Sequence, residues 1–196
     1  VNNIIRISLL SIVIIYLQAC SSFISATNPD PLETKNDKRT TGSFIDDEII
    51  ETTALVNIDK AAPELAQSHI VVVSFNRVVL LTGQVNDQKN RQLAAETVAN
   101  IHNVRRVHNE LMIAGNSSMV ARSNDSWITT KVKSKLLADS SIEANRIKVV
   151  TENGVVYILG IVTKEEGDRV AESARKTGGV QKVVRIFEYI PNKGEQ

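Results

Sequence analysis

The stretch IKVVTENGVVYILG, residues 147–160, decides the reading of this chain. Two runs rich in β-branched residues flank Asn153-Gly154, the dipeptide favoured in a type I′ turn, so the segment predicts a β-hairpin. The same pattern occurs earlier. Ile70-Val71-Val72-Val73-Ser74-Phe75-Asn76-Arg77-Val78-Val79-Leu80-Leu81-Thr82-Gly83 overlays Ile147 to Gly160 at a constant shift of 77 residues, with Asn76-Arg77 at the turn. Gly83 and Gly160 close the second strands at equivalent places, where a close backbone approach or a bulge would exclude a side chain. The chain is therefore an internal duplication.

Working outward, each hairpin is followed by a helix and a last strand. In the second copy Thr163 and Glu166 have capping-box spacing, Val170, Ala171 and Ala174 form the apolar stripe, and Gly178-Gly179 stop it. In the first copy Asn86 or Asp87 begins the helix, and Leu93, Ala94 and Val98 face inward. The last strands are expected over 104–113 and 180–190. A strand–helix–strand return implies a right-handed crossover and parallel pairing. Another helix precedes each hairpin, over Asp46–Asp59 and Ser126–Leu137. Each unit reads α-β-β-α-β. Units of this size have thin cores, so packing one on the other is expected to stabilise both.

The helix before the second hairpin carries the most informative chemistry. Ile128, Val132 and Leu136 form its inward stripe at i, i+4, i+8. Trp127, the single tryptophan, lies about 140° from the middle of that stripe. Lys131 and Ser134 share its face, Thr130 and Leu137 lie to one side, and Lys133 and Lys135 flank more widely. An indole among ammonium groups suits the border between water and an anionic membrane. The alternative is that Trp127 packs against the other domain. The first copy's helix has five acids and no base before Lys60, so an anionic surface should repel it. Its spare apolar residues, Ile49 and Val56, are expected to face the partner domain, and Asp46-Asp47-Glu48 to favour the helix N-terminus. Residues 46–114 hold six Lys/Arg against nine Asp/Glu, whereas 122–193 hold thirteen against nine. The two halves thus present different surfaces.

Arg6 and the apolar run Ile7–Leu17 have the form of a signal peptide, too short to span a bilayer. Leu17-Gln18-Ala19-Cys20 resembles the bacterial lipoprotein box, so Cys20 is the expected lipidation site after removal of residues 1–19. Two or more acyl chains make a durable anchor, each buried methylene contributing about 0.8 kcal/mol. Ser21 in place of an aspartate resembles the sorting signal for the outer membrane, facing the periplasm. The region 20–45 reads as lipidated cysteine and solvated tether.

The two αββαβ copies, with Val79-x-Leu81-x-Gly83 and Val156-x-Ile158-x-Gly160 at strand ends and Val104-x-x-Val107 and Val180-x-x-Val183 at strand starts, resemble BON domains. With the lipoprotein box, the chain looks like a dual-BON outer-membrane lipoprotein. The resemblance implies an α+β fold, each domain a three-stranded mixed sheet packed by two helices, over 46–114 and 124–191, with a linker at 115–123 and a tail at 192–196. It also implies binding without catalysis. Anionic phospholipid (phosphatidylglycerol or cardiolipin) would be held at Trp127, Lys131, Lys133, Lys135 and Leu137, with Thr130 and Ser134 beside them, in support of outer-membrane integrity. Gly83, Gly160, Asn153 and Gly154 would be structural.

No cofactor or metal is expected, because His69, His102 and His108 lack ligand spacing. No phosphate loop or nucleophile elbow occurs. The rival reading is an adaptor that docks on outer-membrane assembly or cell-wall proteins. Nucleic acid is not an expected partner of an exported chain.

Overall fold

A computed structural model describes residues 41–192, all within one compact unit spanning Asn36–Gln196. Cys20, the signal-like run and most of the expected tether lie outside the described residues. The order is α1 (Thr41–Ala61), α2 (Pro63–Ala66), β1 (His69–Phe75), β2 (Val78–Val85), α3 (Gln88–Ala99), β3 (Arg106–Ile113), α4 (Met119–Ala138), a 3₁₀ turn (Ala144–Arg146), β4 (Ile147–Glu152), β5 (Val155–Val162), α5 (Lys164–Arg175) and β6 (Lys182–Tyr189).

Each copy forms its own sheet, β1-β2-β3 and β4-β5-β6, with the hairpin antiparallel and the third strand parallel. Both turns have positive φ at both central residues: 51° and 63° at Asn76 and Arg77, 49° and 73° at Asn153 and Gly154. These are type I′ values, which Asn-Gly adopts readily and arginine does not. A buried acid compensates in each copy. Asp47 accepts from the Asn76 and Arg77 amides at 2.9 and 2.8 Å and from the Ser74 hydroxyl at 2.6 Å. Asp125 accepts from the Asn153 and Gly154 amides, both at 2.8 Å.

The paired Gly83 and Gly160 are not equally constrained. A Cβ at Gly83, where φ is +117°, would lie 2.0 Å from the His69 carbonyl oxygen, whereas at Gly160 its nearest neighbour, the Arg146 carbonyl oxygen, is 3.0 Å away.

Strand side chains alternate between two cores. One face of the first sheet packs Val72, Val79, Leu81 and Leu111 against Ile50, Ala54 and Ile58 of α1 and Ala94 and Val98 of α3. The equivalent face of the second sheet packs Val149, Val156 and Ile158 against Ile128, Val132 and Leu136 of α4 and Val170 and Ala174 of α5. The remaining faces meet each other: Val73, Phe75, Val78 and Leu80 with Tyr157, Leu159, Ile161 and Ile186. The result is helix, sheet, sheet, helix. Polar pairs rim this seam, including Lys148–Glu51 at 2.6 Å, Arg105–Glu188 at 3.0 Å and Gln84 donating to buried Glu152 at 2.7 Å. Burial pushes the Tyr157 phenol above its ordinary pKa, while a hydrogen bond with Thr82 pulls the other way.

Several expectations require correction. Ile49 and Val56 do not face the partner domain; they are 58% and 44% exposed, because the sheets and not the helices form the seam. The helix expected from Asp46 begins at Thr41, inside the expected tether 20–45. A helix already anchored by Ile50, Ala54 and Ile58 extends one hydrogen bond per residue without needing an apolar period. Asp47 therefore lies beyond the first turn and holds the hairpin instead of serving the macrodipole. Within the expected linker 115–123, α4 starts at Met119, where the Ser118 hydroxyl accepts from the Ala121 amide at 3.1 Å. Ser123 and Ser126 donate back to carbonyls four residues earlier, so their hydroxyls are satisfied within the helix. The capping box is half made. Thr163 accepts from the Glu166 amide, but the buried Glu166 carboxylate accepts from the Glu143 amide and pairs with Arg146. Pro63 opens the short α2 at its first position, where its missing N–H costs nothing.

Candidate membrane-facing surface

The geometry of α4 follows from its core stripe. With Ile128, Val132 and Leu136 turned onto the sheet, the opposite side of the helix is left to solvent. Trp127 is 60% exposed, and Leu137 is more exposed still. Thr130, Lys133, Ser134 and Lys135 are exposed, while Lys131 is half-buried. Thus the seven residues singled out from the sequence share the solvent side of one helix. Trp127 does not pack against the other domain.

Two lysines are tied to the end of α5. The Lys131 ammonium donates to the Gly178 carbonyl and lies 6.0 Å from the centre of the Trp127 ring. Lys135 donates to the Lys176 carbonyl at 3.0 Å. Both thereby meet carbonyls at and just beyond the C-terminal end of α5, where a cation is favoured. Lys131 also sits over the face of the indole at cation–π range. Lys133 has no hydrogen-bond or ion-pair partner among the described residues.

Sequence reasoning missed the beginning of this surface. Met119 and Val120, placed in the linker, are exposed in the first turn of α4. By helical angle Val120 lies about 20° from Trp127, so it prolongs the same stripe. An apolar pair interrupting a polar run, directly after a serine able to cap, was the available signal.

The histidines take other places. His69 Nε2 is 3.4 Å from the Glu152 carboxylate at the seam, and His108 lies half-buried opposite Leu80 in the parallel pair. Among the described residues no group of three or more His, Cys, Asp and Glu is placed to hold a metal ion. No described helix is long and apolar enough to cross a membrane.

The family model for the BON domain matches residues 46–115 and 124–191. The chain is 36% identical over 176 residues to the outer membrane lipoprotein DolP of Haemophilus influenzae, covering 90% of this chain and 91% of that protein. It is 37% identical over 154 residues to a 21 kDa hemolysin of Actinobacillus pleuropneumoniae, covering 79% of each. The osmotically-inducible protein Y of Escherichia coli is 30% identical over 148 residues, covering 72% of each.

Proposed function

The chain belongs to the BON-domain family, with two copies of the domain, and from that premise we propose that it is a non-catalytic lipoprotein of the outer membrane. In this reading acylated Cys20 anchors it facing the periplasm, and the outer face of α4 binds anionic phospholipid, supporting the integrity of that membrane. The similarity to a protein named as an outer membrane lipoprotein supports the location.

One observation carries the site: an indole 60% open to solvent, with an ammonium group 6.0 Å from its ring, on a helix whose core stripe faces the other way. An indole so placed can enter the interface while Lys131, Lys133 and Lys135 meet phosphate. Each lysine near an anionic surface contributes about 1 kcal/mol, so three contribute roughly 3 kcal/mol, on the order of a hundredfold in partition.

Co-sedimentation of residues 21–196, which contain the whole compact unit, with vesicles tests this reading. Phosphatidylglycerol or cardiolipin vesicles should retain the protein and phosphatidylcholine vesicles should not. Raising salt from about 0.05 to 0.5 M should release it, as screening shortens the reach of the lysines. Equal retention on both lipids, unaffected by salt, would refute the proposal. The exposed apolar side chains on acidic α1 favour a second reading, an adaptor for outer-membrane assembly or cell-wall proteins.

A further inference from the structure

The outer side of α1 is as unusual as that of α4, and opposite in sign. Ile45, Ile49 and Val56 stand exposed on one side of the helix, within about 40° of one another. They extend over about 16 Å of helix axis. Glu48 and Asp59 run alongside on one flank, and neither carboxylate has a partner among the described residues. On α4, Trp127 and Leu137 extend over about 15 Å, with unpartnered Lys133 on the flank and Lys131 and Lys135 across the stripe. The two surfaces match in length, in apolar content and in charge.

We propose that the outer face of α1 is the docking surface for α4 of a second copy of this chain. Apolar stripe would meet apolar stripe, with Glu48 opposite Lys133. The two helices lie on opposite outer layers of the molecule, one on each sheet, so the contact cannot be reciprocal within a two-fold pair. It is heterologous, joining copies head to tail. A contact between two single helix faces falls below the size of a stable standard interface, so association is weak and needs high local concentration, as on a membrane. The proposal shares the α4 face with the lipid reading, and anionic vesicles should therefore compete with self-association. The association itself is measured without lipid.

The test is sedimentation velocity on residues 21–196 with Glu48→Lys, Lys133→Glu and the double variant. Both substitutions fall on exposed side chains without partners among the described residues. The wild-type mass should rise with concentration, and each single variant should weaken association at least tenfold. In a 1:1 mixture of the single variants every junction between unlike copies is complementary, either native or with its charges exchanged, so association should return. The double variant should associate again. Glu48→Lys should leave vesicle binding intact, so loss of lipid binding by the wild type and loss of self-association are separate results. A wild type monomeric at about 1 mM would overturn the proposal and leave α1 to a different protein. A mixture of single variants that stays monomeric would overturn it equally.

Discussion

Replacing Trp127 with glutamate should abolish lipid binding and leave the fold intact. A tryptophan side chain offers roughly 150–250 Å² of surface. With the residue 60% open, about 90–150 Å² of it can leave water at the bilayer. At about 25 cal/mol per Å², half-immersion contributes roughly 1.5 kcal/mol. The new carboxylate costs about 1 kcal/mol more beside an anionic surface. The sum, near 2.5 kcal/mol, lowers partition on the order of 50- to 100-fold. Stability should change by no more than about 0.5 kcal/mol, because no core contact is lost. The new acid also stands four residues before Lys131, a favourable helical pairing. The assay is a phosphatidylglycerol vesicle titration at low salt, with a thermal melt of the same sample. Partition within about threefold of wild type, at an unchanged melting temperature, would refute the reasoning.

Gly83→Ala should destabilise the first domain by more than about 3 kcal/mol, since its Cβ would overlap the His69 carbonyl at positive φ; Gly160→Ala should cost about 1–2 kcal/mol, and melts of the two compare them. Asp125→Ala removes both acceptors from the Asn153-Gly154 turn and should cost about 3 kcal/mol in urea denaturation, with Trp127→Glu as a neutral surface control. Burial, aided by Arg106 and opposed by Glu110, holds the His108 imidazole below its usual pKa of 6.5. The unfolded chain thus takes up this proton more readily, so its stabilisation is full above pH 6.5 and is lost as pH falls through the folded value. His108→Gln should flatten the fall in melting temperature between about pH 7.5 and 5.5, and an unchanged slope would exclude His108 as its source.

The parts most legible in the sequence were those set by neighbours along the chain. Alternation around Asn153-Gly154 marks the hairpin, and a constant offset exposes its twin. The angle between Trp127 and Ile128, Val132 and Leu136 suffices to turn the indole away from the core. Less legible was what lies across from what. Val71–Val73, Val78–Leu81 and Val155–Leu159 are continuous apolar runs, the mark of strands covered on both faces. Their second face was free to meet the other sheet, so Ile49 and Val56 had no partner domain to cover them. Asp47 was misread because an acid early in a helix has two uses. Only the position of the neighbouring turn tells a macrodipole partner from a buried acceptor. Met119 and Val120 escaped because serines that return their hydroxyl protons to the backbone look, in one dimension, like a linker.

The apolar seam between the sheets has a mechanical consequence. It makes the twin modules one slab, with about 10 Å between successive layers and hence on the order of 30 Å from one helical skin to the other. Neither skin can tilt without carrying the other. A molecule lying with its cationic side on a leaflet holds its acidic side aloft at a fixed height, like the upper deck of a ship whose hull is in the water.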